Sequence, residues 1–342
     1  MDAKITKSRL NHLLSYDWLK IIGVVAAAIV VWPLVFTMTA TRLKPSQQFS
    51  VMNYKGTALT DNFSTKLQSA FRNDVFSYEV IETSVVDTTT GGKDMVSTLM
   101  ETRLTTDEGD VLFAADVNDP DTKYLEPVAE GSEETVEKYF TYLESCLHSW
   151  YGYVYELADE EKGYFAKMEA YLNQYYTNGF EDASSFDEEK VEREFRAKVK
   201  ANKDKRYRKA SDLEKGAQGE VEKVQSYRDG LVKLYSYLDK GYIEFVEKTL
   251  TLSDGKNTVE KTGKYAINLC PNEATMGALK DSVYYLDERQ SEEDPEKTVK
   301  VSTAKDVCVA FMKTPNMDDK YLYESVLYVN YLVETYCTEL NA

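Results

Sequence analysis

Val111-Leu-Phe-Ala-Ala115 is a continuous apolar run, with Gly109 just before it and Asp116 after it. A short run without alternation suits a strand buried on both faces of a parallel sheet. Upstream, Met95, Leu99 and Leu104 mark a helix that Gly109 closes, and Gly91-Gly92 breaks the chain before it. Phe76, Tyr78 and Val80 alternate with polar residues, which predicts a strand continuing towards Val86. Thr60 and Asp61 are helix-start residues, and Leu59, Phe63, Leu67 and Phe71 form a stripe at spacing four that ends at Asn73-Asp74. Phe49 to Tyr54 alternates in part and predicts a further strand. Residues 49–117 therefore read β-α-β-α-β, the order of a parallel sheet with right-handed crossovers. Ligands of open sheets bind beyond the carboxyl ends of the strands. Those ends lie near Asn53 and Tyr54, Glu82-Thr83, and Asp116, so Asn53, Tyr54 and Asp116 are candidate ligand contacts.

Downstream, residues 118–132 read as a loop containing Pro120 and Pro127. Glu133 and Glu134 suit the first turn of a helix, and Tyr139, Leu143, Cys146, Trp150 and Tyr153 follow at spacings of three and four. A second helix is expected near Tyr164 to Tyr176. Ser185-Phe-Asp-Glu188 and Ser211-Asp-Leu-Glu214 are capping-box patterns. They open two striped helices, an antiparallel hairpin over Asp187–Lys240 that turns near Ala210. Ser253-Asp-Gly-Lys256 is a turn signal between two strands. Further strands are expected at Tyr265–Leu269, Val283–Leu286 and Val307–Phe311, with the acidic loop Ser291–Glu296 between the last two. Asp318 and Asp319 start a helix that is apolar nearly all round yet contains Glu324, Asn330 and Glu334. Its short length predicts a buried core helix rather than a membrane span.

Near the front, Ile21 to Ala40 carries no charge and is flanked by Lys20, Arg42 and Lys44. A bilayer core takes roughly 20 apolar helical residues. A secretory signal has a shorter apolar core and a small-residue cleavage site, whereas this run ends Met38-Thr39-Ala40. An uncleaved anchor in the lipid bilayer is the expectation. Lys4, Lys7, Arg9 and Lys20 precede it, which favours a cytoplasmic N-terminus and an extracytoplasmic body. The expected division is 1–20 cytoplasmic, 21–40 transmembrane, 41–48 linker, 49–132 α/β lobe, 133–245 helical region, and 246–342 strands and a helix completing the core.

The net charge of −17 on 342 residues argues against nucleic acid as a partner, because phosphates would be repelled. Cys146, Cys270, Cys308 and Cys337 are too far apart for a zinc or CxxC motif. They allow three disulfide pairings, or none. His12 and His148 are the only histidines, and nothing around His148 suggests a Ser-His-Asp arrangement. Asp116-Val-Asn-Asp-Pro120 departs from a calcium loop at Pro120 and Pro127. No glycine-rich phosphate loop occurs. No catalytic residues, metal site or cofactor are therefore assigned. Trp150 and Tyr153, in an aromatic cluster with Tyr151 and Tyr155, are further candidates for ligand contact. The basic run Arg196–Lys209 stands out in an acidic chain, as dipole-complementing cations or as a surface for a partner.

The stretch MVSTLMETRLTTDEGDVLFAADVNDPD (Met95–Asp121) resembles the first lobe of extracellular solute-binding proteins of the class II periplasmic-binding-protein fold. Gly263-Lys-Tyr-Ala-Ile-Asn-Leu-Cys-Pro271 resembles that family's strand returning between lobes, and Asp319–Tyr336 its late core-packed helix. The resemblance implies an α/β, two-lobed body with a large helical insertion, preceded here by one transmembrane helix. It implies a non-enzymatic protein that binds a small-molecule ligand beside the permease of an ABC-type transporter. The alternative expectation is an interaction or assembly protein of a membrane complex that uses its helical hairpin.

Overall fold

The parallel β-α-β-α-β unit forms as its sequence pattern predicts, and it seeds a larger mixed sheet. The computed structural model describes residues 18–39, 44, 47–89, 93–127, 134–253, 258–290, 297–314 and 323–341. The chain divides into two compact units, Met1–Lys44 and Pro45–Ala342.

The first unit contains helix α1, Trp18–Thr39, of 22 residues. Its described side chains from Ile22 to Trp32 form one uninterrupted exposed apolar run. That run alone is shorter than a bilayer core, and among the described residues no helix is long and apolar enough to cross a membrane.

In the second unit the strands are β1 (Gln48–Asn53), β2 (Ala58–Leu59), β3 (Glu82–Asp87), β4 (Val111–Ala115), β5 (Asn118–Pro127), β6 (Thr135–Thr141), β7 (Glu244–Ser253), β8 (Thr258–Asn268), β9 (Val283–Gln290), β10 (Thr298–Thr303) and β11 (Val307–Phe311). The helices are α2 (Phe63–Arg72), α3 (Lys93–Thr105), α4 (Tyr142–Trp150), α5 (Tyr164–Leu172), α6 (Glu188–Asn202), α7 (Ala210–Asp239), α8 (Glu273–Met276) and α9 (Tyr323–Tyr336). The main sheet runs β3-β1-β4-β11-β8-β7. β1 is parallel to β3 and β4, with Val51 opposite both Val85 and Val111. β11 then enters antiparallel, with Val309 opposite Phe113. Smaller sheets run β10-β9-β2 and β5-β6.

Strand side chains alternate between faces, so the sheet divides two cores. Phe49, Val51, Val111, Phe113, Val309 and Phe311 join the core beneath α2, α5, α7 and α9. Met52, Leu112, Ala114, Cys308 and Ala310 join the core under α3 and α4. Every residue of β4 is buried, which is why its sequence shows no alternation. α9 is buried nearly all round, Glu324 and Asn330 included.

Several expectations are corrected. Residues 118–127 are not a loop but β5, paired antiparallel with β6. Tyr139 lies in β6, and Glu134 precedes that strand instead of opening a helix. α4 starts at a capping box inside the apolar spacing: Thr141 accepts from the Glu144 backbone, and Glu144 accepts from the Thr141 N–H. Phe76 to Val80 is irregular, and the strand begins at Glu82 because Val80 N–H closes a turn on Ser77. The buried stripe of α3 is Val96, Met100 and Leu104, while Met95 is exposed. α6 is capped by Asp187, not Ser185, and Ser211 falls inside α7. β10 is an additional strand, Thr298–Thr303, following the acidic loop. Gly91-Gly92, the turn 254–257, the acidic loop 291–296 and Asp318-Asp319 lie outside the described residues.

Candidate functional site

The carboxyl ends of β1, β3 and β4 are where an open sheet would hold a ligand. Here protein fills that edge. Asn53 is fully buried. Its Nδ2 donates to Thr57 O at 2.9 Å, and its Oδ1 accepts from Thr88 N at 3.2 Å. Thr57 Oγ1 in turn donates to Tyr54 O and Phe113 O, at 2.6 and 3.2 Å. Both polar atoms of the Asn53 side chain thus bond to backbone, and the side chain has no exposed surface to meet a solute.

The turn that follows is held against α4. Gly56 has φ of +85°, and a Cβ there would lie 2.5 Å from the Tyr142 ring. Only glycine fits both the left-handed backbone and that approach. Tyr54 is buried, and burial pushes its phenol well above the ordinary value, with the nearby Cys146 and Asp119 adding to the rise. Asp119, fully buried, pairs with Lys55 at 2.5 Å.

Asp116 is engaged as well. Lys248, from the sheet-edge strand β7, lies 2.8 Å from Asp116 and 3.2 Å from Glu144 of α4. Burial lowers the Lys248 pKa, but the two carboxylates more than offset it, so the cation holds its proton tightly. This triad clips β7, β4 and α4 together.

Trp150 and Tyr153 do not join these residues at one edge. Tyr153 O accepts from Lys313 N at 2.7 Å, beside the bridge between Val154 and Met312. Met312 N–H also bonds Asp110 O, just before β4 starts, so Tyr153 sits at the amino edge of the parallel strands. Trp150 and Tyr153 meet edge to face at 6.2 Å and pack on the second core. Open depressions of about 440, 440 and 950 Å³ on the body are lined by other residues.

A second polar centre lies in the core, where α9, α7 and the 74–81 segment meet. Glu324 Oε1 accepts from Ser77 Oγ at 2.6 Å and from Tyr227 OH at 2.7 Å. Burial pushes the Glu324 carboxyl up to about 6, although those two hydroxyls and Lys223 pull it back. Tyr227 stacks on Tyr323 at 4.2 Å and 4°, and Tyr323 OH donates to Met168 O of α5. Lys223, also buried, lies 2.6 Å from Glu220 and 3.7 Å from Glu79, over the Tyr78 ring. Asp110 accepts from Ser50 N at 2.6 Å, and burial pushes its carboxyl up to about 8. The sequence carried one trace of this network: a glutamate inside an otherwise apolar helix.

Burial keeps these phenols and the buried thiols in their neutral forms. Burial raises the phenols of Tyr227 and Tyr323, so they donate hydrogen bonds and do not act as bases. Burial likewise raises the thiols of Cys146, Cys270 and Cys308, which removes the thiolate that cysteine reactivity requires. All four cysteines are free and buried. His148 packs against Phe140 at 5.3 Å. Among the described residues no group of His, Cys, Asp and Glu is placed to hold a metal ion.

No family model, no curated protein and no solved structure matches this chain.

Proposed function

We propose that this protein is a single-pass, membrane-anchored interaction protein, whose α/β body faces the extracytoplasmic side and acts by presenting surfaces, not by catalysis. The observation that carries the reading is the filled carboxyl edge, with Asn53 buried and its amide spent on backbone. The anchoring half is supported by the uncharged run Ile21–Ala40 and by the 22 residues of α1, about 33 Å at the helical rise. Ile22, Val24, Ile29 and Trp32 are more than half exposed there, an apolar surface that hydrocarbon would accept and water would penalise. The α6–α7 hairpin is the main surface offered to a membrane partner.

Alkaline extraction tests the anchor: the chain is expected to stay in the membrane pellet. Ala27→Arg is expected to release much of it, since a central arginine costs about 3 kcal/mol on insertion. Protease added to intact cells is expected to digest the body; a protected body would overturn the topology.

A second reading, a solute-binding accessory of an ABC-type transporter, draws support from the parallel β3-β1-β4 unit. It requires α4 and the Gly56 turn to leave the strand ends. A thermal-shift panel of sugars, amino acids and short peptides separates the two. No saturable rise in melting temperature is expected, and one such rise would favour the solute-binding role.

A further inference from the structure

Between Arg196 and Lys209 the chain carries eight cations against the single carboxylate of Asp204, within a protein of net charge −17. The structure gathers them at the tip of the α6–α7 hairpin. Arg196 is spent on Glu192 and Glu214, at 3.3 and 2.9 Å, and Arg206 on Asp204 at 2.7 Å. Lys200, Lys203, Lys205, Arg208 and Lys209 are all exposed.

The tip has one defined shape. Lys203 ends α6 in the left-handed region, with φ 49° and ψ 43°, a conformation that non-glycine residues adopt at a cost. Asp204 caps the next turn by accepting from Arg206 N at 3.0 Å. Tyr207 packs edge-on to Phe195 at 5.2 Å. It presses on Gly216 of α7, where a Cβ would lie 2.4 Å from its ring. A glycine inside a helix and a left-handed lysine are both unfavourable choices. Together they fold the connection tightly over Tyr207 and turn the cations outward.

The tip also lies at a particular end of the body. Gln47, where the chain arrives from the apolar helix, accepts from Ile81 N at 2.8 Å. In the same segment Tyr78 donates to Glu220 and contacts Gly219, both in the first half of α7. The early turns of α7, which follow directly on the tip, therefore pack beside the segment that Gln47 contacts.

The chemistry of the tip selects its occupant. Stable protein interfaces centre on aromatic and arginine anchors and are poor in lysine. At this tip Tyr207 is already packed against Phe195, and Arg196 and Arg206 are held by carboxylates, which leaves Arg208 among four exposed lysines. Dispersed lysines instead suit a fluid polyanion, where each adds attraction without a fixed pocket. We propose that Lys200–Lys209 is a docking surface for the anionic phospholipid headgroups of the bilayer that holds the anchor. The acidic remainder of the body is repelled by the same surface, so the tip fixes which side of the body faces the lipid. The proposal rests on the anchored reading above.

The test uses the full chain in nanodiscs of phosphatidylcholine, alone or mixed with phosphatidylglycerol. The exposed Asn202 is changed to cysteine and labelled with a fluorophore, the native thiols being buried, and headgroup spin-labelled lipid serves as quencher. Quenching is expected to be at least about three-fold stronger with phosphatidylglycerol and to fall away at high salt, where screening shortens to about 3 Å. It is also expected to fall away when Lys200, Lys203, Lys205, Arg208 and Lys209 are all changed to Gln. Circular dichroism of that variant is expected to match the parent, since the five positions are exposed. Equal quenching in neutral and anionic discs overturns the proposal and leaves an acidic protein surface as the tip's occupant. Failure of the chain to co-elute with discs of either composition sinks the anchored reading itself, a distinct result.

Discussion

Glu324 and Asp110 are carboxyl groups held in the core by hydrogen bonds from Ser77, Tyr227 and the Ser50 backbone. Burial raises both, from 4.5 to about 6 and from 3.8 to about 8. Each binds its proton more tightly in the folded than in the unfolded chain. The stability they add is therefore complete below the ordinary values and is lost as pH rises through about 6 and about 8. Glu324→Gln combined with Asp110→Asn should remove that part of the slope. Urea midpoints of parent and variant, compared between acid and neutral pH, check this; parallel curves would refute it. The position of Glu324 was legible in the sequence, as a charge in an apolar helix, but its partners were not. Ser77 and Tyr227 lie far from it in the chain, and no local pattern links them. Asn53 was equally visible at a strand end. Its commitment to Thr57 and Thr88 depends on two turns whose geometry the sequence does not spell out.

Helices and strands are legible in the sequence where one force decides them. β4 shows itself because both faces are buried, and α7 because its stripe runs through 30 residues. The β5–β6 hairpin is masked in the sequence because Pro120 and Pro127 suggest a loop and the apolar spacing runs on into α4. The boundary is set by Thr141 and Glu144, which cap each other reciprocally. Thr141→Ala should cost about 1 kcal/mol of stability, read by chemical denaturation, with Thr141→Ser close to the parent. In α7, Gly216→Ala should behave opposite to its helix propensity. Alanine normally gains about 1 kcal/mol over glycine in a helix, but overpacking against Tyr207 and Phe195 costs about 1–3 kcal/mol. A net loss is expected, with faster amide exchange over 203–209; a gain in stability would show that the rings yield freely.

Across the whole molecule, one sheet separates two cores, and each core encloses cysteines. Cys270 and Cys337 lie in one, Cys146 and Cys308 in the other. All four are free. A thiol reagent is therefore expected to find no reactive group in the native protein and four after denaturation, without prior reduction. A count below four would reveal a disulfide. At this scale the sequence placed the parallel unit but could not place β11. Strand pairing over a long separation leaves no periodic trace, and β11 reads like any other short apolar run.

The central position of β11 shapes how the chain must be made. It lies between β4 and β8, yet it is made after every other described strand of the body. Until it leaves the ribosome, β4 presents an open, wholly apolar edge, which invites pairing with other chains. The main sheet therefore cannot close until β11 has been made, a state compatible with threading through a translocation channel. A chain stopped at Asp306 should collect in aggregates, whereas one stopped at Thr338 should stay dispersed; sedimentation of the two products after cell-free synthesis decides the matter.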